Sequence, residues 1–372
     1  MRKLFLPLLM LGGLLQCLPF ASAQLQAKKA AASKKRTVAR RTPPVDPTLG
    51  DNIDGDDLVV RRAAVEALGS QNGSVVVVDP SNGRVLSVVN QKLAFANGFT
   101  PCSTIKLVTA LAALSEHVVA REDTVRLSRY LSFNLTDAIT HSNNEYFGEL
   151  GKRLGYDRVT RYAKMLGLGE AAGLDIPGER SGELPDGPPK AGGMGLLTAY
   201  GSGYQVTPMQ LAALVSAIAN GGTLYYLQYP RTAGDIEQFG AKVKRSLELA
   251  PNGIDDVKIG MRGAVERGTA RLANYDPTEQ LFGKTGTCRD YRAGENMGWF
   301  GSFLDSGPQR LVVVVMLASP VKSVSGPGAS AVAGAVYKNL AQQHFVLAAA
   351  RKSDLPEIIA TTPVSQPLAI SH

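Results

Sequence analysis

The distribution of strand-like and helix-like segments along this 372-residue chain constrains its fold more than any other feature. Two runs of β-branched residues, 74–79 and 85–90, flank a Pro-Ser-Asn-Gly turn and predict a buried hairpin. Further strands are predicted near the other end of the body, at 281–288, 297–304 and 310–318. Because strands open and close the body, the sheet is predicted to be antiparallel, with the intervening helices on one face or in an inserted subdomain.

Helical patterns fill the region between the two groups of strands. Residues 118–205 are predicted to be rich in helices, with Gly and Pro breaks. Other helices are predicted from Ser103 to about Ser115, over 207–220, over 254–267 and near 329–348. The chain after about residue 350 is predicted to be a loose tail, 351–372.

The first 23 residues have the composition of an export signal. Arg2 and Lys3 precede an apolar stretch from Leu4 to about Phe20, and the small residues 21–23 form a cleavage site. An uncleaved membrane anchor is the alternative, because the apolar stretch approaches membrane-spanning length. Both interpretations predict that the rest of the protein is extracytoplasmic, in the periplasm or cell envelope.

The basic charge of the chain is concentrated in one segment. Residues 27–41 contain seven Lys and Arg and no acid, within a net charge of +8. Without this segment and the two charges of the signal, the remainder carries about −1. We therefore expect a basic tether over 24–57, either solvated or in contact with anionic envelope polymers. One folded domain is expected to follow over 58–350. A nucleic-acid-binding arm is not expected in an exported protein.

Few residues are available for metal or histidine chemistry. Three cysteines exclude a Cys-rich zinc module, and the sequence gives no reason to invoke a metal or an organic cofactor. The four histidines are His117, His141, His344 and His372. Each is interpreted as a surface or packing residue, so a Ser–His–Asp mechanism lacks a base.

Ser103 and Lys106 form a Ser-x-x-Lys pair at the start of a predicted helix. At this spacing both side chains lie on one helical face, so a neutral Lys106 can take the proton of Ser103. The helix N-terminus adds positive potential and free N–H groups that suit a developing oxyanion. A second Ser-x-x-Lys, at 319–322, has no helix to orient it and is interpreted as a loop.

Two more elements follow in the chain. Ser142 and Asn144 form a Ser-x-Asn at the start of a helical segment, where Ser142 is equally suited to be a plain N-cap. The run from Lys284 to Thr287 reads Lys-Thr-Gly-Thr in a predicted strand, and it offers a cation and a hydroxyl to a substrate carboxylate. Each element alone is common, but the ordered set is specific.

With these three elements the chain resembles the serine penicillin-recognising enzymes over roughly residues 70–345. That group comprises penicillin-binding transpeptidases, D,D-carboxypeptidases and serine β-lactamases. The resemblance implies an α+β fold with three α/β/α layers around an antiparallel sheet, and a helical subdomain inserted between the N-terminal hairpin and the C-terminal strands. Several segments look most like a penicillin-binding transpeptidase domain: 173–185, 200–211, 219–222, 266–270 and 299–301.

The resemblance also implies catalytic roles. Ser103 is the nucleophile, and Lys106 is its general base, with a pKa lowered by Lys284 and by partial burial. Ser142 relays a proton to the leaving amine. Asn144 holds the substrate amide and orients Lys106.

The substrate-binding roles follow in the same way. Lys284 and Thr285 bind the terminal carboxylate, next to Gly286, and the backbone N–H groups of Ser103 and Thr287 form the oxyanion hole. The implied function is that of an extracytoplasmic acyl-serine D,D-transpeptidase. It acts on D-Ala–D-Ala of peptidoglycan stem peptides and is acylated by penicillin.

Three alternatives remain open. The chain has no Glu-x-x-Leu-Asn loop like that of class A β-lactamases, which favours transfer over fast hydrolysis. A serine β-lactamase or a D,D-carboxypeptidase would use the same chemistry, and a hydrolytic base would be sought among Glu170, Glu179 and Glu183. A non-catalytic penicillin-binding or envelope-interaction module, with the basic tether as its working part, is the alternative from another class.

Cys102 immediately precedes the expected nucleophile, and Cys288 immediately follows the Lys-Thr-Gly-Thr run. This placement is similar to that of certain class A carbapenem-hydrolysing β-lactamases, in which the two cysteines are bridged. The resemblance implies a disulfide, which an exported protein can retain. The alternative is two small buried hydrophobic side chains.

Overall fold

The computed structural model of the protein describes residues 46–96, 98–306, 309–321 and 323–343. Several predictions fall outside the described residues: the signal 1–23, the tether up to residue 45, Lys322, His344, His372 and the tail 351–372. Within the described ranges, no helix is long and apolar enough to cross a membrane.

The described residues form nine strands and eleven α-helices. The strands are β1 (Gly73–Asp79), β2 (Arg84–Val89), β3 (Val125–Arg126), β4 (Ser132–Phe133), β5 (Thr223–Tyr225), β6 (Val243–Ser246), β7 (Leu281–Asp290), β8 (Glu295–Ser306) and β9 (Gln309–Ser319). The helices are α1 (Leu58–Leu68), α2 (Gln91–Ala94), α3 (Lys106–Ser115), α4 (Leu135–Thr140), α5 (Asn144–Leu154), α6 (Tyr156–Met165), α7 (Gly193–Tyr200), α8 (Pro208–Ala219), α9 (Ala233–Glu237), α10 (Gly253–Glu266) and α11 (Gly326–Gln342). Two 3-10 turns cover Cys102–Ile105 and Arg271–Ala273.

The main sheet has five strands in the order β2-β1-β9-β8-β7, and every neighbouring pair is antiparallel. The predicted hairpin and the three predicted C-terminal strands are therefore confirmed, and β7 lies at one edge. Two small ribbons, β3–β4 and β5–β6, were not predicted, because strands of two to four residues carry little periodic signal.

Alternating side chains of the central strands pack into two separate cores. Val75 and Val77 of β1 belong to a core built with α1 and α11 on one face of the sheet. Val76 and Val78 belong to the larger core on the other face, which contains α3 and α8. Helices thus cover both faces, and helices α2 to α10 lie between β2 and β7 in the chain. This confirms the α+β, three-layer fold expected from the resemblance.

The folded domain was predicted to begin at Leu58, but residues before Leu58 already belong to it. The carboxylate of Asp57 caps α1, a helix that was not predicted. Arg61 of this helix forms ion pairs of 2.9 Å with both Asp51 and Asp56, and the side chain of Asp56 is fully buried. The predicted end of the tether at residue 57 is therefore too late. Residues 51–57 contain four Asp, and Arg61, the partner of two of them, lies in a helix that was not predicted.

Candidate active site

Ser103 lies in the 3-10 turn Cys102–Ile105, which leads directly into α3. The sequence predicted a single helix starting at Ser103, whereas Pro101 precedes a 3-10 turn and the regular helix starts at Lys106. Ser103 is nine-tenths buried, and its hydroxyl donates to the carbonyl of Ala199 at 3.4 Å. The expected nucleophile is thus held between α3 and the end of α7.

The side chain of Lys106 is completely buried and points at the Ser-x-Asn element. Its amine lies 2.7 Å from the carbonyl oxygen of Ser142, 3.1 Å from Ser142 Oγ and 2.6 Å from Asn144 Oδ1. The hydrogen bonds of Lys106 therefore go to Ser142 and Asn144, while that of Ser103 goes to Ala199. The structure brings the two predicted elements together through the lysine.

Ser142 is held by an unusual backbone conformation rather than by a helix. Its φ of +54° lies in the left-handed region, and the residue that caps α5 is Asn143, whose side chain accepts from the N–H of Tyr146. The simple N-cap alternative for Ser142 is therefore wrong. A non-glycine residue in this region of backbone conformation is uncommon and is found most often in turns and functional sites.

The hydroxyl of Ser142 lies between two buried lysines. Lys284 of β7 is also completely buried, and its amine lies 2.8 Å from Ser142 Oγ and 2.9 Å from the carbonyl oxygen of Thr285. Lys106 approaches the same hydroxyl oxygen at 3.1 Å. One hydroxyl thus connects the Ser-x-x-Lys and Lys-Thr-Gly elements. Their lysines, Lys106 and Lys284, are 178 residues apart in the sequence.

Burial lowers the pKa of both lysines. Desolvation, and secondly the charge of Lys284, lowers the pKa of Lys106 to about 6. Desolvation lowers the pKa of Lys284 to about 7. Burial is therefore the larger cause for Lys106, and the charge of Lys284, the first cause expected from the resemblance, is the smaller one. At pH 7 most Lys106 side chains are neutral amines, the form that can accept a proton.

One arrangement of protons fits all of these contacts. A neutral Lys106 donates its two protons to the Ser142 carbonyl and to Asn144 Oδ1, and its lone pair accepts the Ser142 hydroxyl proton. A charged Lys284 donates to Ser142 Oγ and to the Thr285 carbonyl. The Ser142 hydroxyl can therefore carry a proton between a neutral amine and the cleft.

The edge strand β7 comes unusually close to the turn that holds Ser103. A Cβ on Gly286 would lie 2.9 Å from the carbonyl oxygen of Pro101 and 3.2 Å from Cys102 Cβ. Only glycine allows this approach without displacement of the backbone. The free edge of β7 and the nucleophile turn therefore form the two sides of one cleft.

The hydroxyls of β7 have defined partners. Thr285 is almost fully buried, and its Oγ1 lies 2.6 Å from Oγ1 of Thr269. Thr287 is exposed, and its Oγ1 accepts a hydrogen bond of 2.7 Å from the N–H of Gly326 at the start of α11. The predicted binding strand is thus fixed at Thr285 by the segment after α10 and at Thr287 by the start of α11.

A disulfide joins Cys102 and Cys288, with their Cα atoms 5.5 Å apart. It links the residue before Ser103 to the residue after the Lys-Thr-Gly-Thr run. Two hydrogen bonds fix the same segment: Thr100 N–H donates to Asp290 at 2.7 Å, and the Trp299 indole donates to the Thr100 carbonyl at 3.0 Å. The nucleophile turn is therefore attached to the β7–β8 hairpin at several points.

The structure adds Tyr200 to the site. It ends α7, and its hydroxyl accepts a hydrogen bond of 2.8 Å from Asn144 Nδ2, while Asn144 Oδ1 faces Lys106. Tyr200 and Thr269 both lie in segments that were noted for their family resemblance, but no role was inferred for either. The signal available for Tyr200 is its position before Gly201, a helix-ending glycine with φ of +70°.

Several residues considered from the sequence lie elsewhere. His117 and His141 are exposed. The three glutamates considered as hydrolytic bases have other partners: Glu170 binds Lys244 and Arg245, Glu179 accepts from the N–H groups of residues 172 and 173, and Glu183 pairs with Arg292. In the described part of the chain, no three His, Cys, Asp or Glu side chains are grouped as a metal site would require.

Comparison with known proteins places this geometry in a family context. The profile of the penicillin binding protein transpeptidase domain matches residues 73–342. Stage V sporulation protein D of Bacillus subtilis is 28% identical over 303 residues, which cover 68% of this chain and 46% of that protein. Peptidoglycan D,D-transpeptidase MrdA of Haemophilus influenzae is 24% identical over 341 residues, covering 70% of this chain and 52% of that protein. The chain thus spans about half the length of these relatives.

Solved structures share the fold. The transpeptidase domain of Burkholderia pseudomallei penicillin-binding protein 3 superposes with a TM-score of 0.66 at 21% identity, covering 77% of this chain and 94% of that one. Pseudomonas aeruginosa PBP2, solved in complex with WCK 5153, gives a TM-score of 0.65 at 24% identity, covering 79% and 78%. At these identities the likeness concerns the fold.

Proposed function

The chain belongs to the penicillin-binding protein transpeptidase domain family, and on that premise we propose that it is an extracytoplasmic acyl-serine D,D-transpeptidase. Its substrate is the D-Ala–D-Ala end of peptidoglycan stem peptides, and penicillin acylates the same serine. The observation that carries this proposal is the Ser142 hydroxyl, which lies within hydrogen-bond distance of both Lys106 and Lys284.

Acylation begins at Ser103. Rotation about its Cα–Cβ bond releases the hydroxyl from Ala199, and Oγ attacks the carbonyl carbon of the penultimate D-Ala. The neutral amine of Lys106 takes the hydroxyl proton. The backbone N–H groups of Ser103 and Thr287 donate to the oxyanion of the tetrahedral intermediate.

Collapse of this intermediate needs a proton on the departing amine. Ser142 gives its hydroxyl proton to the nitrogen of the terminal D-Ala and takes one from the protonated Lys106. The C–N bond breaks, D-Ala leaves, and an ester on Ser103 remains. An acceptor amine then attacks the ester, its proton returns through the same groups, and Ser103 is regenerated.

The terminal carboxylate is bound by Lys284 and Thr285, next to the opening that Gly286 leaves in the strand. A carboxylate raises the pKa of a nearby amine, so substrate keeps Lys284 charged above its pKa of about 7. Asn144, fixed between Lys106 and Tyr200, orients the base and keeps its second amide proton for a substrate carbonyl.

The partners of the three glutamates support transfer over hydrolysis. Glu170 and Glu183 form ion pairs with basic side chains, and Glu179 accepts two backbone N–H groups. Each of these carboxylates is therefore engaged by groups outside the three motifs of the site. We therefore propose that the acyl-enzyme formed with penicillin is long-lived. We also propose that the export signal and the basic tether deliver the domain to the cell envelope.

The test is the intact mass of the full chain mixed with benzylpenicillin and followed from minutes to hours. We expect one adduct that persists for hours, and none on Ser103→Ala. An adduct that disappears while penicillin is consumed would identify a β-lactamase. An adduct on Ser103→Ala would refute the assigned nucleophile. Incubation with a stem peptide and an amine would distinguish a transpeptidase, which forms a cross-linked product, from a carboxypeptidase, which only releases D-Ala.

A further inference from the structure

Thr269 lies in the cleft without a role in the chemistry described above. It follows α10, and its backbone N–H donates to the carbonyl of Thr140 at 3.3 Å. The preceding Gly268 is so close to the same carbonyl that a Cβ there would lie 2.1 Å from the oxygen. Thr269 is therefore fixed against the end of α4, two residues before Ser142.

The hydroxyl of Thr269 is directed at the carboxylate-binding threonine. Its Oγ1 lies 2.6 Å from Oγ1 of Thr285, and Thr285 is only 3% exposed. The backbone carbonyl of Thr285 meanwhile accepts from the amine of Lys284. Thr285 is thus held from two sides, by Lys284 at its main chain and by Thr269 at its hydroxyl.

A threonine hydroxyl has one proton, so a pair of hydroxyls at hydrogen-bond distance has one proton left for a ligand. When Thr269 donates to Thr285, the free proton belongs to Thr285 and points away from Thr269. We propose that Thr269 is a positioning residue for recognition of the substrate carboxylate, acting through the Thr285 hydroxyl. This inference rests on the proposed function.

The charge of the ligand decides how much this arrangement contributes. A carboxylate attracts the Thr285 proton, which increases the negative charge on Thr285 Oγ1 and strengthens the bond from Thr269. Hydrogen bonds to an ionised acceptor are roughly twice as strong as those between neutral groups. Thr269 therefore favours ligands with a free carboxylate over the same ligands in neutral form.

The experiment compares benzylpenicillin with its methyl ester, the latter at higher concentration to offset weaker binding. Second-order acylation rates of the full chain are measured by intact mass for the wild type, Thr269→Val and Thr269→Ser. The matched control is Thr278→Val, which removes a hydroxyl that donates to Asp276 at 2.7 Å in an exposed turn outside the cleft. Thermal unfolding of each variant shows that it is folded.

We expect Thr269→Val to lower the rate with benzylpenicillin by about tenfold and the rate with the ester by less than about twofold. Thr269→Ser should restore both rates to within about twofold, and Thr278→Val should change neither. An equal loss with both ligands, or no loss, would overturn the inference while leaving the proposed function intact. Absence of any adduct on the wild type would overturn the proposed function and this inference with it.

Discussion

The two faces of the central sheet are built from different kinds of side chain. On the face covered by α1 and α11, alternate valines of β1 and β9 pack against apolar helix residues. On the opposite face, beside the edge formed by β7, Lys106 of α3 and Lys284 of β7 are both completely buried. The first face is what packing alone selects, whereas the second contains groups that packing disfavours.

The difference shows where the fold has given up stability. Both acceptors of Lys284 given above, Ser142 Oγ and the Thr285 carbonyl, are neutral oxygens, so the buried amine gains little to offset its desolvation. The lowered pKa values of Lys106 and Lys284 express the same penalty. Lysines with strongly lowered pKa values in a cleft are typical of functional sites. Among the described residues, their presence on only one face of the sheet marks that face as the candidate active site.

Replacing Lys284 by Met tests the comparison most strongly. Loss of the ammonium should lower the acylation rate with benzylpenicillin by at least about a hundredfold, because carboxylate binding and the Ser142 contact both disappear. The free energy of unfolding should rise by about 1–3 kcal/mol, since an apolar side chain of similar length replaces a buried amine. Denaturant titration and adduct formation measure the two effects.

Lys338→Met is the matched control for this substitution. Lys338 is exposed on α11, the helix that covers the apolar face. Its replacement should change the free energy of unfolding by less than about 0.5 kcal/mol and leave acylation unchanged. A Lys284→Met variant that is less stable than the wild type would mean that the buried amine contributes to the fold, contrary to the comparison.

Leu68→Ala makes the converse change on the apolar face. Leu68 ends α1, is fully buried and packs in the core shared with α11. Its truncation should lower the free energy of unfolding by about 2–5 kcal/mol through lost burial and the resulting cavity. Acylation per folded molecule should stay within about twofold of the wild type, because no group of the cleft is touched.

Leu58→Ala, at the exposed start of the same helix, provides the control. Leu58 is 61% exposed, so its truncation should change the free energy of unfolding by less than about 0.5 kcal/mol. If Leu68→Ala reduced acylation as strongly as stability, the two faces of the sheet would be energetically coupled.

The apolar face could be predicted from runs of β-branched residues, whereas the cleft could be predicted only from short motifs. The strands around Val75 and Val313 could be predicted because β-branched runs bounded by turns have few other interpretations. Helix α1 was not predicted, although Asp57 caps it, Val60, Ala64 and Leu68 are buried at helical spacing, and Gly69 follows it. The ion pairs of its buried Arg61 with residues 51 and 56 could not be predicted from the sequence pattern.

The cleft shows the same limit in another form. The three motifs and the resemblance predicted that Asn144 orients Lys106, but not that Lys106 would contact Ser142 while Ser103 contacts Ala199. Tyr200 and Thr269 were missed because each acts through one hydroxyl whose partner is distant in the chain. Such pairs leave no periodic or compositional signal.

The pH dependence of acylation gives the smallest of the expected effects and sharpens the comparison further. Lys106 must be neutral to accept the Ser103 proton, so with a pKa of about 6 the rate should rise with pH and level off above about 7. At pH 5 the neutral fraction, and hence the rate, should be about one-tenth of its maximum. At higher pH, deprotonation of Lys284 should lower the rate again. This fall should come above the pKa of about 7, because the bound carboxylate favours the charged amine.

Adduct formation with benzylpenicillin between about pH 5 and 9 measures both the rise and the fall of the rate. Leu68→Ala should give the same profile, because it changes stability and not the cleft. An acid limb near the pKa of about 10 of an exposed lysine would show that Lys106 is not desolvated, and the cleft would then differ from the opposite face only in composition.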